Sequence, residues 1–220
     1  MNIESIISNL LPEYECILPF EQKKVSFNPF RVRDAKNLAI LLEEKNKNLI
    51  LKSLVNLLKT NCKGIDIDEL CLADAEYLFL QMRAKSIEEE LNLLINGNPV
   101  KVNIAEIEYK NNFLSSEIQI FEGCYIKLRT PKIKDLLSID LEDENAITNK
   151  SIKFICLKSE IYDIDKFLSD EAKQILDNLP LNIMSKIKKE LNNQPELFVK
   201  VPSNDGVCEV AGPLTFFILR

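Results

Sequence analysis

The side chains in this sequence that could do chemistry are carboxylates and thiols. Of 220 residues, 34 are Asp or Glu, six are Cys and none is His. Without an imidazole, Ser-His and Cys-His nucleophilic pairs and His-ligated metals all drop out together. Glycine occurs only five times, too sparsely to write either common phosphate-cradling loop. Two carboxylates facing each other across a cleft could hydrolyse a glycoside. Glu15, Glu76 and Glu88 are the acids to consider, and no spacing in the chain pairs any two of them. A thiol can be activated without histidine by a helix N-terminus or a cation. That makes Cys71, just ahead of a strongly helical run, the candidate nucleophile, with a small buried side chain as its ordinary alternative. Cysteines 16, 62, 71, 124, 156 and 208 form no Cys-x-x-Cys pair, the pattern of reduced residues that behave as small hydrophobes. The acidic stretch DLEDENAITN at 140–149 lacks EF-hand spacing and reads as a solvated, loop-like connection.

The residues alone therefore predict no enzyme, no cofactor, no metal and no small-molecule substrate. The formal charge is −6 and no Lys/Arg stripe stands out, so binding to nucleic-acid phosphates is not expected. No apolar run approaches the length of a membrane span. The opening MNIESIISNLLPEYECILPF has neither a basic start nor a small-residue cleavage site, so no secretion is expected. An apolar share of 46% beside 28% charged residues is that of a soluble globular chain.

The elements that would position any site follow from periodicity. Residues 1–11 carry Ile3, Ile6, Ile7 and Leu10 on one side of a short amphipathic lead-in, stopped by Pro12. Two strand-like runs, 14–20 and 23–27, flank Glu21-Gln22 as a hairpin. Asp34 is placed to cap a helix with Ala35, Leu38, Leu41 and Leu42 as its stripe. A second helix covers about 47–61, with Gly64 at its C-terminal turn. The central helix spans 73–86, where Ala75, Leu78, Phe79 and Met82 recur at i, i+3, i+4 and i+7. Tyr77 and Leu80 make it apolar nearly all round, as a buried helix is. Asp74 suits its start, and Arg83 and Lys85 suit its end. Residues 88–94 either prolong it or begin a strand. Alternation over 100–128 predicts a small antiparallel region of three or four strands. KDLLSI at 134–139 is helix-like, and 150–158 is strand or helix. Ser169 and Pro180 start a helix pair, the second with Ile183, Met184, Ile187 and Leu191 on one face. Two strands surround Asn204-Asp205-Gly206, and the apolar run 214–219 should dock on the body. The fold class is α+β: an N-terminal β-hairpin and helices around a central buried helix, a small antiparallel β region, then a C-terminal helix pair and strands. The expected division is 1–96, a helical lobe with the hairpin, and 97–220, an α+β lobe, or else one continuous domain.

The wording of the central run, DIDELCLADAEYLFLQMRAKSIEEE, resembles the signature of the T4-type phage baseplate-hub assembly proteins. Upstream, VSFNPFRVRDAKNLAILLE is similar to that family's Tyr/Phe-x-Pro-Phe strand and leucine-rich helix. Downstream, the β region, LRTPKIKDL, the helix pair and the closing Gly-Pro-Leu-Thr-Phe-Phe follow the family order. The resemblance implies a non-enzymatic tail protein acting through other phage tail and baseplate-hub proteins. It would be a hub subunit in the virion or an assembly chaperone in the host cytoplasm. Relatives often carry Cys-x-x-Cys pairs that suggest a zinc knuckle. Here the corresponding stretches read LNLLINGNPVKV and VKVPSNDGVCEV, with only Cys208, so a four-ligand site cannot be written.

Residues that the loop, the motif and the tail offer for protein contact are Phe27, Phe30, Arg31, Arg83, Lys85, Phe216 and Phe217, aromatic and cationic types that anchor interfaces. Each aromatic also suits a core, and Arg83 and Lys85 also suit a helix terminus. Two readings of other classes remain: a small carboxylate-based hydrolase acting on cell-wall sugar, and a host adaptor protein. Changing Cys16, Cys124 or Cys208 to Ser is expected to leave the metal content of the purified protein at zero. Stoichiometric zinc by elemental analysis would contradict this.

Overall fold

The computed structural model describes residues 10–37, 46–95, 98–110, 112–158, 160–167, 169–203, 206–212 and 214–215. Most of the expected lead-in, the stripe residues Leu38, Leu41 and Leu42, and Phe216 and Phe217 lie outside them. The chain falls into two compact units, one drawn from Met1–Tyr109 and Glu196–Arg220, the other from Lys110–Pro195.

The first unit opens with β1 (Tyr14–Ile17) and β2 (Lys24–Phe27), an antiparallel hairpin pairing Tyr14 with Phe27 and Cys16 with Val25. Residues 32–37 are helical. That helix starts three residues earlier than Asp34 implied, and the Asp34 carboxylate accepts the Arg31 backbone N–H at 3.0 Å. It is thus the returning arm of a cap rather than the cap itself. Helix α1 (Lys47–Asn61) is capped by Asn46, whose side chain accepts from the Leu49 N–H, and it buries Ile50, Leu51, Leu54, Val55, Leu57 and Leu58. The short strand β3 (Cys62–Lys63) joins β2, and Gly64 follows at φ +75, where a Cβ would be strained.

Helix α2 (Leu72–Ser86) is the expected central helix, one residue longer at its start. Its apolar side chains are covered on several sides. Leu78, Phe79 and Met82 are buried, and α1 packs against the helix. Ala73 and Leu80 join a second cluster with Leu91, Val102, Leu197 and Val199. Beyond it, β4 (Glu90–Ile95) and β5 (Asn98–Asn103) pair as a two-stranded antiparallel ribbon, so the segment after the helix is strand and not a prolongation. β6 (Glu108–Lys110) ends this part of the chain.

In the second unit β7 (Glu117–Phe121) and β8 (Cys124–Leu128) turn at Gly123. Helix α3 (Ile133–Leu137) follows, with the Asp135 carboxylate accepting the Lys132 N–H at 2.9 Å. Helix α4 (Glu144–Lys150) occupies part of the acidic stretch expected to be a loop. The Asp143 carboxylate accepts the N–H groups of Asn145 and Ala146, so acidity here starts a helix. β9 (Ile152–Leu157) and β10 (Glu160–Asp163) complete a sheet of order β10-β9-β8-β7, antiparallel throughout. Helices α5 (Ser169–Asp177) and α6 (Leu181–Leu191) bring Leu176, Ile183 and Ile187 onto Ile118, Ile126 and Ile155. Arg129 forks onto both Asp165 oxygens at 2.7 Å and donates to the Lys150 carbonyl, tying the end of β8 to α4 and the Ile164–Lys166 turn.

The chain then returns to the first unit as β11 (Glu196–Ser203) and β12 (Gly206–Ala211), in a sheet of order β12-β11-β6. The α+β class is as expected, but one detail differs. The strands of 100–128 do not form one region: they are shared among three sheets, because strand partners are chosen by distant packing surfaces that alternation does not reveal. The two compact units are nested in sequence, with 196–220 grouped with 1–109. Leu78→Ala and Phe79→Ala are each expected to cost about 2–5 kcal/mol. A loss below about 1 kcal/mol at both positions in urea melts would contradict a core role.

Candidate functional site

Three polar side chains of α2, those of Asp74, Arg83 and Ser86, turn inward and bond to the backbone of other segments. Asp74 accepts the backbone N–H groups of Phe20 at 3.0 Å and Glu21 at 2.9 Å, one on each oxygen. It sits in the first turn, as expected, but its carboxylate serves the β1–β2 turn and not its own helix. Burial pushes this carboxyl above its ordinary value, and the two amides pull it back. Arg83 is only 8% exposed and donates to the Glu90 carbonyl at 3.2 Å, fixing the start of β4. Burial lowers its pKa, while the Glu88 carboxylate acts in the opposite direction. Ser86 donates to the Met82 carbonyl at 2.6 Å and accepts the Phe30 N–H at 2.9 Å.

These bonds decide where the expected contact residues lie. Phe27 is 1% exposed, so it is core, held by its place on the inner face of β2. Arg83 is likewise internal. Phe30 is half-buried and stacks on Phe79, with ring centroids 5.8 Å apart and planes 9° from parallel. Arg31 is half-buried beside it. Lys85 keeps 41% of its side chain exposed, pairs with Glu89 at 3.2 Å and lies 5.9 Å from the Tyr14 ring centroid. The C-terminal end of α2 thus gathers Phe30, Arg31 and Lys85 with Tyr14. Next to the Phe30–Ser86 bond along the chain, Val32 is 74% and Ile87 58% exposed. Neither was picked out from the sequence. An apolar residue just past a helix end carries no signal until its exposure is known.

The chemical candidates fare differently. Glu15 pairs with Lys24 at 2.7 Å on the surface, and Glu88 is exposed. Glu76 is buried. The Cys71 thiol is buried and pushed up, first by burial and then by Asp74, the reverse of an activated nucleophile. Cys16 and Cys62 are pushed up to about 11 and about 12, again by burial first. All six cysteines are free, and among the described residues no group of three or more Cys, Asp or Glu could hold a metal. A hollow of about 560 Å³ is lined by Ser116, Glu117, Gln119, Lys186, Lys189 and Glu190. Its two carboxylates are engaged, Glu117 with Lys127 at 3.1 Å and Glu190 with the Ser116 hydroxyl at 2.6 Å. Among the described residues no helix is long and apolar enough to cross a membrane.

The family described as T4 bacteriophage base plate protein matches residues 11–218. The chain belongs to this family. No curated protein and no solved structure matches it. As a phage baseplate-associated protein, it carries the family span across both compact units, including the α2 bonds and the sheet that β11 completes.

Replacing Asp74 by Ala removes the acceptor of two amides, and the expected loss is roughly 2–4 kcal/mol. Amide exchange should quicken in peptides covering 14–27 and stay unchanged in α6. Unchanged exchange at the hairpin would show that Asp74 does not hold it.

Proposed function

We propose that this baseplate protein takes part in hub assembly by binding other phage tail proteins, without catalysis. It acts either as a hub or baseplate subunit or as an assembly chaperone, in the host cytoplasm during assembly and, for a subunit, in the finished tail. The family match over residues 11–218 carries this reading. The geometry supports it: the motif's polar groups bind the chain's own backbone, and the carboxylates singled out for chemistry are surface-paired, exposed or buried. A glycoside hydrolase needs an acid and a second carboxylate at one cleft; among the described residues the two carboxylates of the hollow, Glu117 and Glu190, are tied to Lys127 and the Ser116 hydroxyl.

The contact surface we propose is the C-terminal end of α2, where Val32, Ile87, Tyr14, Phe30, Arg31 and Lys85 combine apolar area with aromatic and cationic anchors. Phe216 and Phe217 remain proposed contacts on sequence grounds. Quantitative mass spectrometry of purified tails beside infected-cell lysate tests the role. A fixed small copy number in tails makes it a subunit; absence from tails with hub proteins bound in lysate makes it a chaperone. No association with tail proteins in either fraction would overturn the proposal. Val32→Glu with Ile87→Glu should reduce co-purification of the tail partner at least tenfold while leaving the urea midpoint in place.

A further inference from the structure

Strand β7 is an edge of its sheet: the order β10-β9-β8-β7 gives it a neighbour on one side, and no other strand pairs with it among the described residues. The Leu128 N–H donates to the Ser116 carbonyl at 2.9 Å. In the same register Glu117 pairs with Lys127, Ile118 with Ile126 and Gln119 with Tyr125. Backbone groups along an antiparallel strand face its neighbour at every second residue. Those of Ser116 and Ile118 therefore point at β8, and those of Glu117 and Gln119 point at the open edge. The register shift between Gln119 and Phe121 ends the regular stretch, so the open edge is short.

The hollow of about 560 Å³ lies along this edge, lined by 116–119 and by Lys186, Lys189 and Glu190 of α6. Its acids are engaged, Glu190 by the Ser116 hydroxyl at 2.6 Å and Glu117 by Lys127 at 3.1 Å. Lys186 and Lys189 are exposed and make no ion pair among the described residues. With Lys127, three ammoniums thus stand against the carboxylates of Glu117 and Glu190. Ile183 and Ile187 anchor α6 in one core with Ile118, so the lysines are carried by a fixed element.

We propose that the β7 edge is a docking strip for an extended acidic segment of another protein, which adds a strand beside Glu117 and Gln119 and sets alternate carboxylates against Lys186 and Lys189. In strand addition the main chain supplies affinity, and a flanking pocket reads every second side chain. Here that pocket is the hollow, and what it reads is charge. Ile118 is buried with α6, whereas the Glu117 and Gln119 side chains are exposed and belong to the opposite face of the strand. An acid on that face would meet Glu117, so the segment that fits alternates carboxylates with uncharged residues. The strip belongs to the unit Lys110–Pro195. It stands or falls independently of the contact surface at the end of α2.

Titration of the full chain with a capped peptide alternating Thr and Glu tests the strip. The peptide should bind with a Kd below about 1 mM, and exchange of the Glu117 and Gln119 amides should slow in the complex while that of β12 does not change. Lys186→Glu with Lys189→Glu should weaken binding at least about tenfold and leave the urea midpoint in place. Raised salt should weaken it in the wild-type chain. The same peptide N-methylated at alternate residues should not bind, a readout that leaves the protein untouched. No binding of the Thr-Glu peptide at about 1 mM, equal affinity for the charge-reversed variant, unchanged exchange at Glu117 and Gln119, or equal binding of the N-methylated peptide would each defeat the proposal.

Discussion

Two backbone amides in the β1–β2 turn point at one buried carboxylate, and the first unit is arranged around that contact. Phe20 and Glu21 lie in the turn beyond the last β1–β2 pair, Ile17 with Lys24, and their N–H groups need an acceptor. Asp74 supplies both of its oxygens at 2.9–3.0 Å, and bonds to a charged acceptor contribute about 1.5–3 kcal/mol each. The contact fixes the hairpin against the start of α2. Ser86, with its hydroxyl on the Phe30 N–H, fixes the following loop against the end. Between them the loop leading into helix 32–37 is held at both ends of one rigid rod.

This use of polar groups bears on what the motif means. Asp, Arg and Ser in a recurring phrase invite a functional assignment, because exposed polar residues in a phrase usually face a ligand. Here they are internal: Asp74 and Arg83 are buried, and each is bonded to the backbone of another element. The phrase specifies a fold, and the fold offers a surface. What reaches solvent at the end of α2 is the neighbouring, chemically plainer set of Tyr14, Val32, Lys85 and Ile87. The thiols agree, being raised by burial where activation would require the opposite.

The nesting of the units has a consequence for folding. β11 supplies Leu197, Val199 and Val201 to the cluster that covers Ala73 and Leu80, yet it is separated from β6 by the whole of the second unit. The first unit therefore completes its core only after Glu196 has joined. Such non-local pairing closes a long loop before it is rewarded, which slows folding relative to a helical unit of the same size.

The sequence by itself determined the elements whose signals are local. Helix α1 over 47–61, the central helix within one residue, the β1–β2 hairpin, the α5–α6 pair with Ile183 and Ile187 inward, and the β11–β12 pair all follow from period, caps and turn residues. Composition and the missing histidine also removed whole classes of chemistry, and the wording of α2 pointed to the family. Tertiary structure alone decided which strand pairs with which, because β5, β6 and β7 share one alternating pattern but lie in three different sheets. It decided that the acidic stretch after Asp143 winds into a helix once its amides find that carboxylate. It decided, above all, that Phe27 and Arg83 are inside while Val32 and Ile87 are outside. Burial depends on what packs from elsewhere in the chain, and residue type cannot report that.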